Sequence, residues 1–373
     1  MPIQAFELAS SETPGTKELH VTAVPAPGGA AAQAEEVFSK ISAVLRREGG
    51  QILQERIFLT SGATEDVVAA RRAAYGDLDD GVPPAWLQAS PGLGGPLVGV
   101  QVHAVVGGGP PQPVELDAVA VGRVLRVSGL AFLTTTALSA PQAGVPADQA
   151  CAVFEQGARV AERVGMDMFS VARTWIWLRD ILSWYDELNA ARNEFFRRCG
   201  MLDAPSGQEL PASTGIGVAP TGEGQCAMEM IAMAGPDGEL KNGLLAAGNQ
   251  GPAFAYGSAF SRALQAKTPA GSTVYVSGTA AIDAQGATRH VGNIPGQIED
   301  TIANVRAVLD NMGCGDGDVV NAMMYCKTAE VEQAFGERRG ELCWPGVVMV
   351  CDICRKELLF EIEVTACPGA RKL

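Results

Sequence analysis

Apolar residues recur along the chain in two patterns, one typical of amphipathic helices and the other typical of buried strands. In the N-terminal part these patterns predict helices over 34–50 and 64–76 and strands over 52–61 and 98–106. Glycines and polar residues separate the predicted elements and indicate turns. Alternation of strands with amphipathic helices predicts an α+β fold in which helices cover one face of each sheet.

The same order of elements recurs further along the chain. Segments 148–181 and 296–329 align at a constant offset of 148 residues, with Gly165 over Gly313. Each reads as a helix, a turn and an apolar strand, and the N-terminal pattern is a fainter copy of both. We therefore predict three units of about 120 residues, each ordered strand–strand–helix–strand–helix–strand. The predicted boundaries are 1–112, 113–245 and 246–373.

The closing strands of the three predicted units carry polar residues at equivalent positions. In the repeat alignment Gln101, Glu229 and Glu361 share one position. The last of these strands also contains Glu363, and residues two apart on a strand point to the same face. Glutamate is uncommon in strands and is rarely buried without a partner. The pair is therefore either a solvated strand face or a carboxyl placed in a cleft for proton transfer.

The composition limits the classes of function. The chain has 373 residues, is 47% hydrophobic and carries a formal net charge of −14. This charge argues against broad binding to nucleic acids or to anionic membranes. An anionic small molecule would need a local cluster of arginines to overcome it. The prediction is a globular protein that binds a small molecule, either as a monomer or as a homo-oligomer.

No cofactor or metal is predicted. Nine cysteines and three histidines include no set with the spacing of a structural zinc site. Neither GxGxxG after a strand nor GxxxxGK[ST] occurs. The N-terminus lacks a basic region followed by a long apolar run, and no apolar span of about 18 residues occurs elsewhere. We expect a cytoplasmic protein with reduced thiols.

The third unit resembles the RidA/YjgF family. The resemblance rests on VYVSGTA (274–280), the helix of 297–313 and the sequence DICR followed by EIE (352–363). That family forms trimers with reactive clefts between subunits. The resemblance implies three tandem YjgF-like (chorismate-mutase-like) units that form a pseudo-trimer within one chain, with the active cleft between units two and three.

The middle unit narrows the resemblance. RTW and WYDELNAARN within 172–200, PASTGI (211–216) and the C-terminal DICR…LLFEIE are together similar to the chorismatase family. The resemblance implies hydrolysis of chorismate to pyruvate and a hydroxybenzoate. It favours 3-hydroxybenzoate, with or without some 4-hydroxybenzoate.

Two residues are predicted to be catalytic. Glu361 follows the apolar run LLF, so burial would raise its pKa and suit it to protonate an enol ether. In the resembled family the glutamate at this point is the general acid. The alternative for Glu361 is a structural carboxylate paired with an arginine. The resemblance also associates a cysteine at the place of Cys354 with an aromatic product, whereas Ala280 favours a product that is not aromatised.

Arginines are the candidates to hold the two carboxylates of chorismate, because a guanidinium binds a carboxylate through two parallel hydrogen bonds. Arg173 and Arg179 share the parity of Trp175 and Trp177 on one strand-like stretch. This Arg–Trp ladder is either a wall for the substrate ring or a solvated sheet face. Further substrate-binding candidates are Tyr185 and Arg192 on one helix face, the polar backbone of Thr214 and Gly215, and the small residues Gly278 and Ala280.

Three other functions stay open at this stage. The first is a chorismatase that stops at the dihydroxycyclohexadiene carboxylate. The second is a RidA-type imine deaminase, but the arginine on which that activity relies is missing from LCWPGVV (342–348). The third is a non-catalytic small-molecule binding protein on the same scaffold, which would not explain a carboxyl at Glu361 beside Cys354.

Overall fold

The computed structural model describes residues 3–11, 13–202, 210–235 and 240–373. The fold is α+β, with three mixed sheets and two helices packed on each. Among the described residues, no helix has the length and apolar character needed to cross a membrane.

The elements follow one another in three similar series. The first comprises β1 (Ile3–Ala9), β2 (Lys17–Ala23), α1 (Ala30–Glu48), β3 (Gln51–Leu59), α2 (Thr64–Tyr75), β4 (Ala85–Gln88) and β5 (Leu97–Val106). The second comprises β6 (Gln112–Leu116), β7 (Val119–Val127), β8 (Leu130–Thr135), β9 (Leu138–Ser139), α3 (Pro146–Arg163), β10 (Val171–Leu178), α4 (Tyr185–Arg198), β11 (Ala212–Ile216), β12 (Ala219–Pro220) and β13 (Cys226–Ala234). The third comprises β14 (Lys241–Leu244), β15 (Ala263–Thr268), β16 (Gly271–Ala280), α5 (Ile294–Asn311), β17 (Val319–Cys326), α6 (Ala329–Arg338), β18 (Gly346–Val350), β19 (Phe360–Ala366) and β20 (Arg371–Lys372).

Each sheet is centred on one of these series. The strand orders are β12-β4-β3-β5-β2-β1-β20, then β11-β10-β13-β8-β7-β6 with β9 beside β13, then β14-β15-β16-β19-β17-β18. The predicted order of elements is present in each series. A short strand that the pattern did not predict follows the second helix each time and runs parallel to its neighbour: β4, β11 and β18. The division into three domains stays a prediction.

Helix α1 shows why these segments fold as the pattern indicates. Its buried apolar residues recur at helical spacing, as in Val37, Phe38, Ile41 and Leu45. Gly49 ends the helix in the left-handed conformation, with φ of 71°, which glycine adopts without a steric penalty. The apolar face packs on the first sheet and leaves that sheet's opposite face free for other contacts.

The faces of the sheets that carry no helices meet in a shared core. It contains large side chains from all three sheets, including Phe58, Phe132, Trp177, Tyr275 and Tyr325, all at most 2% exposed. Strand β10 is buried along its whole length because helices cover one of its faces and the other sheets cover the second. Polar side chains on this inner face therefore need partners from a neighbouring sheet.

Buried polar pairs supply these partners between the first and second sheets. Glu229, fully buried on β13, accepts hydrogen bonds from Arg56 Nε at 2.9 Å and Gln54 Nε2 at 2.9 Å. Trp177 Nε1 also donates to this carboxylate, at 2.8 Å. Burial nevertheless raises the pKa of Glu229, so the pair carries a large desolvation cost.

Similar contacts join the other sheets in a cycle. Between the second and third sheets, Glu363 accepts from Arg173 Nη2 at 2.7 Å and from Trp175 Nε1 at 2.6 Å. Between the third and first, Gln101 Nε2 donates to Asn321 Oδ1 and to the Ala322 carbonyl.

The strand register corrects the alignment made from sequence. Glu229 lies opposite Trp175 on β10. The offset of 148 places Trp175 at Met323 on β17, so the counterpart of Glu229 is the residue that lies opposite Met323. That residue is Glu363, so the predicted equivalence of Glu229 with Glu361 is wrong by two residues. A shift by two keeps the face of the strand, so the apolar pattern alone could not detect it.

Two of the three histidines form a buried cluster with Glu18 between the first and third sheets. Oε1 of Glu18 lies 2.8 Å from His103 Nε2, and its Oε2 accepts from Thr268 at 2.6 Å and from the Ala270 N–H at 2.8 Å. Glu18, His20 and His103 form the one group of possible metal ligands among the described residues, with their ligand atoms within 4.8 Å of one another. The rings of His20 and His103 are stacked 8° from parallel, so they do not point at a common ion.

Acid is expected to destabilise the fold through His20. Burial, the largest cause, lowers the pKa of His20 from 6.5 to about 3, so the folded state keeps a neutral ring where the unfolded chain binds a proton. Stability is therefore full above pH 6.5 and is lost as the pH falls toward 3, by about 1.4 kcal/mol per pH unit for this group. In urea unfolding between pH 7 and pH 5, His20→Gln should show a shallower loss than the wild type. The matched control is His290→Asn at an exposed position, and an unchanged slope in His20→Gln would contradict the assignment.

Candidate active site

A pocket opens between the second and third sheets. It contains about 530 Å³ of empty space, counting its opening to solvent. The second series contributes part of α4 and β11, and the third contributes the segment before β15, strand β16, the loop before β19 and Glu361 itself. The lining residues are Tyr185, Arg192, Ser213, Thr214, Gly215, Tyr256, Ser258, Phe260, Arg262, Gly278, Ala280, Ile282, Cys354, Arg355, Leu358 and Glu361.

Glu361 is the one carboxyl among the described lining residues. It lies on β19 opposite Ala280 and is 5% exposed. Burial, and then the negative charge of Glu363 on the same face, raise the pKa of Glu361 to about 8, against the opposing effect of Arg173, Arg262 and Arg355. A carboxyl with this pKa is mostly protonated at neutral pH and can donate a proton.

Position Gly278 is adapted to this carboxyl. A Cβ at Gly278 would lie 2.1 Å from Glu361 Oε1, a distance that no side chain tolerates. The ladder between β16 and β19 is irregular between Val276 and Thr279, so Gly278 lies at a β-bulge. Its N–H donates to Thr214 Oγ1 at 2.9 Å, which links β16 to β11.

Three arginines give the pocket its positive charge. Arg192 and Arg262 are 2% and 1% exposed, and Arg355 is half-buried. Arg192 Nε is buried and has no hydrogen-bond partner among the described residues, while Arg262 donates to the Gly251 carbonyl at 2.9 Å. In the described part of the chain none of the three forms a salt bridge with a carboxylate. Buried cations usually have a counter-ion, so these residues suit an anionic ligand.

Tyr185 and Cys354 are neighbours on the pocket wall. Burial raises the pKa of Cys354 to about 12, and the nearby Glu361 adds to the effect. Burial also raises the pKa of Tyr185. Both groups are therefore neutral hydrogen-bond donors at physiological pH, and Cys354 is a thiol rather than a thiolate nucleophile.

Eight of the ten residues predicted from sequence line this pocket: Tyr185, Arg192, Thr214, Gly215, Gly278, Ala280, Cys354 and Glu361. Their roles in binding or catalysis stay predictions. The other two, Arg173 and Arg179, do not line it.

The Arg–Trp ladder is neither a ring-binding wall nor a solvated face. Arg173 is 1% exposed and bonds Glu363 and Thr214 beneath the pocket, with its guanidinium 4.5 Å from the ring of Trp175. Arg179 follows the end of β10 and donates to the carbonyls of Pro220 and Gly222, each at 2.9 Å. Both expectations for the ladder failed because the face of β10 that carries it packs on the other two sheets, which a single-strand pattern does not reveal.

Three functional candidates were missed from sequence: Tyr256, Arg262 and Arg355. Arg262 comes directly before the apolar strand β15, and an arginine at the edge of an apolar run was a signal that could have been weighed. Tyr256 ends the short 3₁₀ helix Ala253–Tyr256 and stacks with Arg262 and Arg355. Nothing in the local sequence marks the contact of Tyr256 with Arg355, because the two residues are far apart in the chain.

Comparisons with known proteins identify one family match in the C-terminal part of the chain and one similar structure over most of its length. Residues 253–367 match the family described as Endoribonuclease L-PSP. Comparison with curated protein sequences gives no match. Among solved structures, a chorismatase crystal structure is similar with a TM-score of 0.59 at 19% identity, covering 77% of this chain and 88% of that one.

Smaller proteins align with about a third of the chain. A Rid-family protein of unknown function, YyfA from Yersinia pestis, is 20% identical, with a TM-score of 0.28, covering 34% of this chain and 98% of its own. Yeast Mmf1 is 18% identical, with a TM-score of 0.28, covering 33% of this chain and 95% of its own. The chorismatase structure with the TM-score of 0.59 confirms the resemblance for the fold: this chain has the overall fold of a chorismatase, and its residues 253–367 match the Endoribonuclease L-PSP family.

Proposed function

We propose that the protein is a chorismatase that converts chorismate to pyruvate and a hydroxybenzoate, with 3-hydroxybenzoate favoured and some 4-hydroxybenzoate allowed. One observation carries the proposal. The pocket combines a carboxyl whose pKa is about 8 with arginines that have no carboxylate partner among the described residues. An acid that stays protonated beside an anion-binding wall is what release of pyruvate from a dianionic enol ether requires.

Substrate charge matches the pocket. Chorismate carries two carboxylates, and Arg192, Arg262 and Arg355 offer enough donors to bind both. Placing a dianion there would also provide Arg192 Nε with a hydrogen-bond partner, which it does not have among the described residues. Ala280, a small side chain that lines the pocket on β16, is the proposed contact for the ring.

Glu361 acts as the general acid in this proposal. It donates its proton to the methylene carbon, and the electron pair of the enol double bond forms the new C–H bond. The resulting cation, stabilised by the ether oxygen, takes up water, and one proton of that water returns to Glu361. Cleavage of the bond between this carbon and the ether oxygen then frees pyruvate, and the proton of the added hydroxyl passes to the departing ring oxygen.

The pseudo-trimer is part of the same proposal. The cyclic contacts made by Glu229, Glu363 and Gln101 are what three similar units around one axis would form. In the corrected register the counterparts of Glu361 are Ala227 and Gly99, which carry no acid. One catalytic pocket per chain follows from this.

The ring product depends on Cys354 and Ala280, which favour different outcomes. With water alone, the products are pyruvate and the dihydroxycyclohexadiene carboxylate, and further loss of water from that ring gives the hydroxybenzoate. Cys354 is a neutral donor beside Tyr185 and Glu361, so it is placed to assist departure of the ring hydroxyl.

Incubation of the purified protein with chorismate tests the proposal. Pyruvate is read by a coupled assay and the ring product by HPLC against authentic hydroxybenzoates and the dihydrodiol. Pyruvate above the spontaneous background supports the proposal, and the ring product decides between Cys354 and Ala280. Without pyruvate, the proposal fails, and imine hydrolysis or simple ligand binding becomes the better reading of the pocket.

The rate of pyruvate release is expected to fall at alkaline pH. Because the acid form of Glu361 is the active one and its pKa in the free protein is about 8, kcat/KM should be level below pH 8 and fall about tenfold per pH unit above it. The check is a kcat/KM profile from pH 6 to pH 10 at chorismate concentrations well below KM. A rate that rises through pH 8 would assign a base, not an acid, to the rate-limiting step.

Replacing Gly278 with Ala should reduce turnover by about 100-fold or more, because a displacement of roughly 1 Å at the chemistry can cost that much. The new methyl group would displace the carboxyl of Glu361, which lies 2.1 Å from its position. The matched control is Gly336→Ala, since a Cβ on that residue of α6 meets nothing within 4 Å. Equal kcat in Gly278→Ala and the wild type would show that Glu361 does not need its present position.

A further inference from the structure

The hydroxyl of Thr214 has a constrained role at the pocket wall. Its Oγ1 lies 2.6 Å from Arg173 Nη2 and 2.9 Å from the N–H of Gly278. A guanidinium and a backbone N–H can only donate, so the hydroxyl oxygen accepts both bonds. A threonine oxygen has two lone pairs, and both are then used.

The hydroxyl of Thr214 can therefore take part in a further hydrogen bond only as the donor. No described protein group accepts that hydrogen bond, although Thr214 is 2% exposed and lines the pocket. A buried hydroxyl hydrogen without an acceptor costs free energy, and a ligand acceptor would remove that cost. Glu361 lies close to Thr214, because Glu361 Oε1 and Thr214 Cγ2 lie 2.1 Å and 3.1 Å from the position that a Cβ of Gly278 would take.

Arg173 holds this arrangement in place from outside the pocket. The same Nη2 that donates to Thr214 also donates to Glu363 Oε2 at 2.7 Å, so both of its hydrogens are used. Glu363 is fixed in turn by Trp175 Nε1 at 2.6 Å, and the guanidinium stacks 4.5 Å from the ring of Trp175. Arg173 as a residue is only 1% exposed, and this burial limits the freedom of its guanidinium to turn.

We propose that Thr214 is an obligate hydrogen-bond donor to an oxygen of the bound substrate, and that Arg173 is the positioning residue that forces this role on it. The inference rests on the proposed function and adds a specific group to it. The acceptor is a carboxylate or ether oxygen next to the atom that Glu361 protonates, because Thr214 and Glu361 lie close to the same glycine. Arg173 thus serves the site without touching the substrate.

The test compares three variants in the full-length protein, with chorismate as the probe. Thr214→Val removes the hydroxyl at nearly constant shape and is expected to lower kcat/KM by about 10- to 100-fold, the loss typical of a buried hydrogen bond to a charged or reacting group. Thr214→Ser keeps the donor and should recover most of that loss. Thr134→Val is the control, since that buried hydroxyl of the second sheet bonds the Leu53 carbonyl away from the pocket.

A double-mutant cycle tests the part played by Arg173. Arg173→Lys keeps a positive charge beside Glu363 but lacks the planar fork that serves both partners. If Arg173 acts through Thr214, Arg173→Lys combined with Thr214→Val should have the same kcat/KM as Thr214→Val alone. Simple damage to the fold would instead add to the loss caused by Thr214→Val.

The outcomes separate the inference from the function on which it rests. No pyruvate from the wild type rejects the function. With an active wild type, equal kcat/KM in Thr214→Val, or equal losses in Thr214→Val and Thr214→Ser, rejects the donor role. Additive losses in the double variant reject Arg173 as the positioning residue.

Discussion

Replacing Glu361 with Gln is expected to abolish most pyruvate release while leaving the fold intact. An amide has nearly the shape of a protonated carboxyl and can fill the same space beside Gly278. It cannot give up a proton to carbon, so the rate should fall by about 10²- to 10⁴-fold, the usual contribution of general acid catalysis. The measurement is kcat for pyruvate release by the variant and the wild type at pH 7.

Two controls make the result specific. Glu357→Gln removes an exposed carboxyl four residues earlier and should not change kcat. The residual rate of Glu361→Gln should also lose the decline above pH 8, because the titrating group is gone. Retention of wild-type kcat in Glu361→Gln would remove Glu361 from the reaction and leave it the structural carboxylate that the sequence allowed.

Replacing Arg56 with Met is expected to cause the largest loss of stability. Arg56 donates to the fully buried Glu229 at 2.9 Å, and its guanidinium lies 3.6 Å from the ring centre of Trp175. Removing it leaves a buried carboxylate with only neutral donors. Breaking a buried ion pair in this way costs about 3–5 kcal/mol, and the measurement is the free energy of unfolding in urea.

A second substitution shows whether the unpaired charge is the cause. In the double variant Arg56→Met with Glu229→Met, most of the loss should be recovered, because apolar replacement of both partners of a buried pair is often neutral. Arg159→Met is the surface control. It breaks an exposed pair with Asp117, and its loss should be about 1 kcal/mol or less. A loss of that small size in Arg56→Met would mean that the first and second sheets are held together by apolar packing alone.

The helices and strands were largely predictable from sequence because their signal is local. The apolar spacing of α1 and its C-terminal Gly49 place that helix within a few residues of its observed bounds. The offset of 148 residues between two copies likewise predicted matching elements in the second and third series. The short strands β4, β11 and β18 were missed, because four or five residues give too little periodicity to distinguish a strand from a loop.

Much of the pocket was also foreseeable. Motif resemblance named eight of the residues that line it, including Glu361 and Cys354. The raised pKa of Glu361 was expected from the apolar run before it. The sequence also predicted that Glu363 lies on the same strand face as Glu361, and its charge adds to the raised pKa of Glu361. The sequence did not predict that Glu363 pairs with Arg173.

The chain's own pattern thus determined the order of its elements, the α+β class and the strand on which the acid lies, since each depends on neighbours a few residues apart. Only the tertiary structure decided which face of β10 is covered by other sheets, and therefore that Arg173 supports the pocket from beneath while Arg262 lines it. It also showed that Glu363, and not Glu361, is the counterpart of Glu229. These are contacts between residues up to 190 positions apart, and their energies arise from burial and pairing across sheets, which no local pattern records.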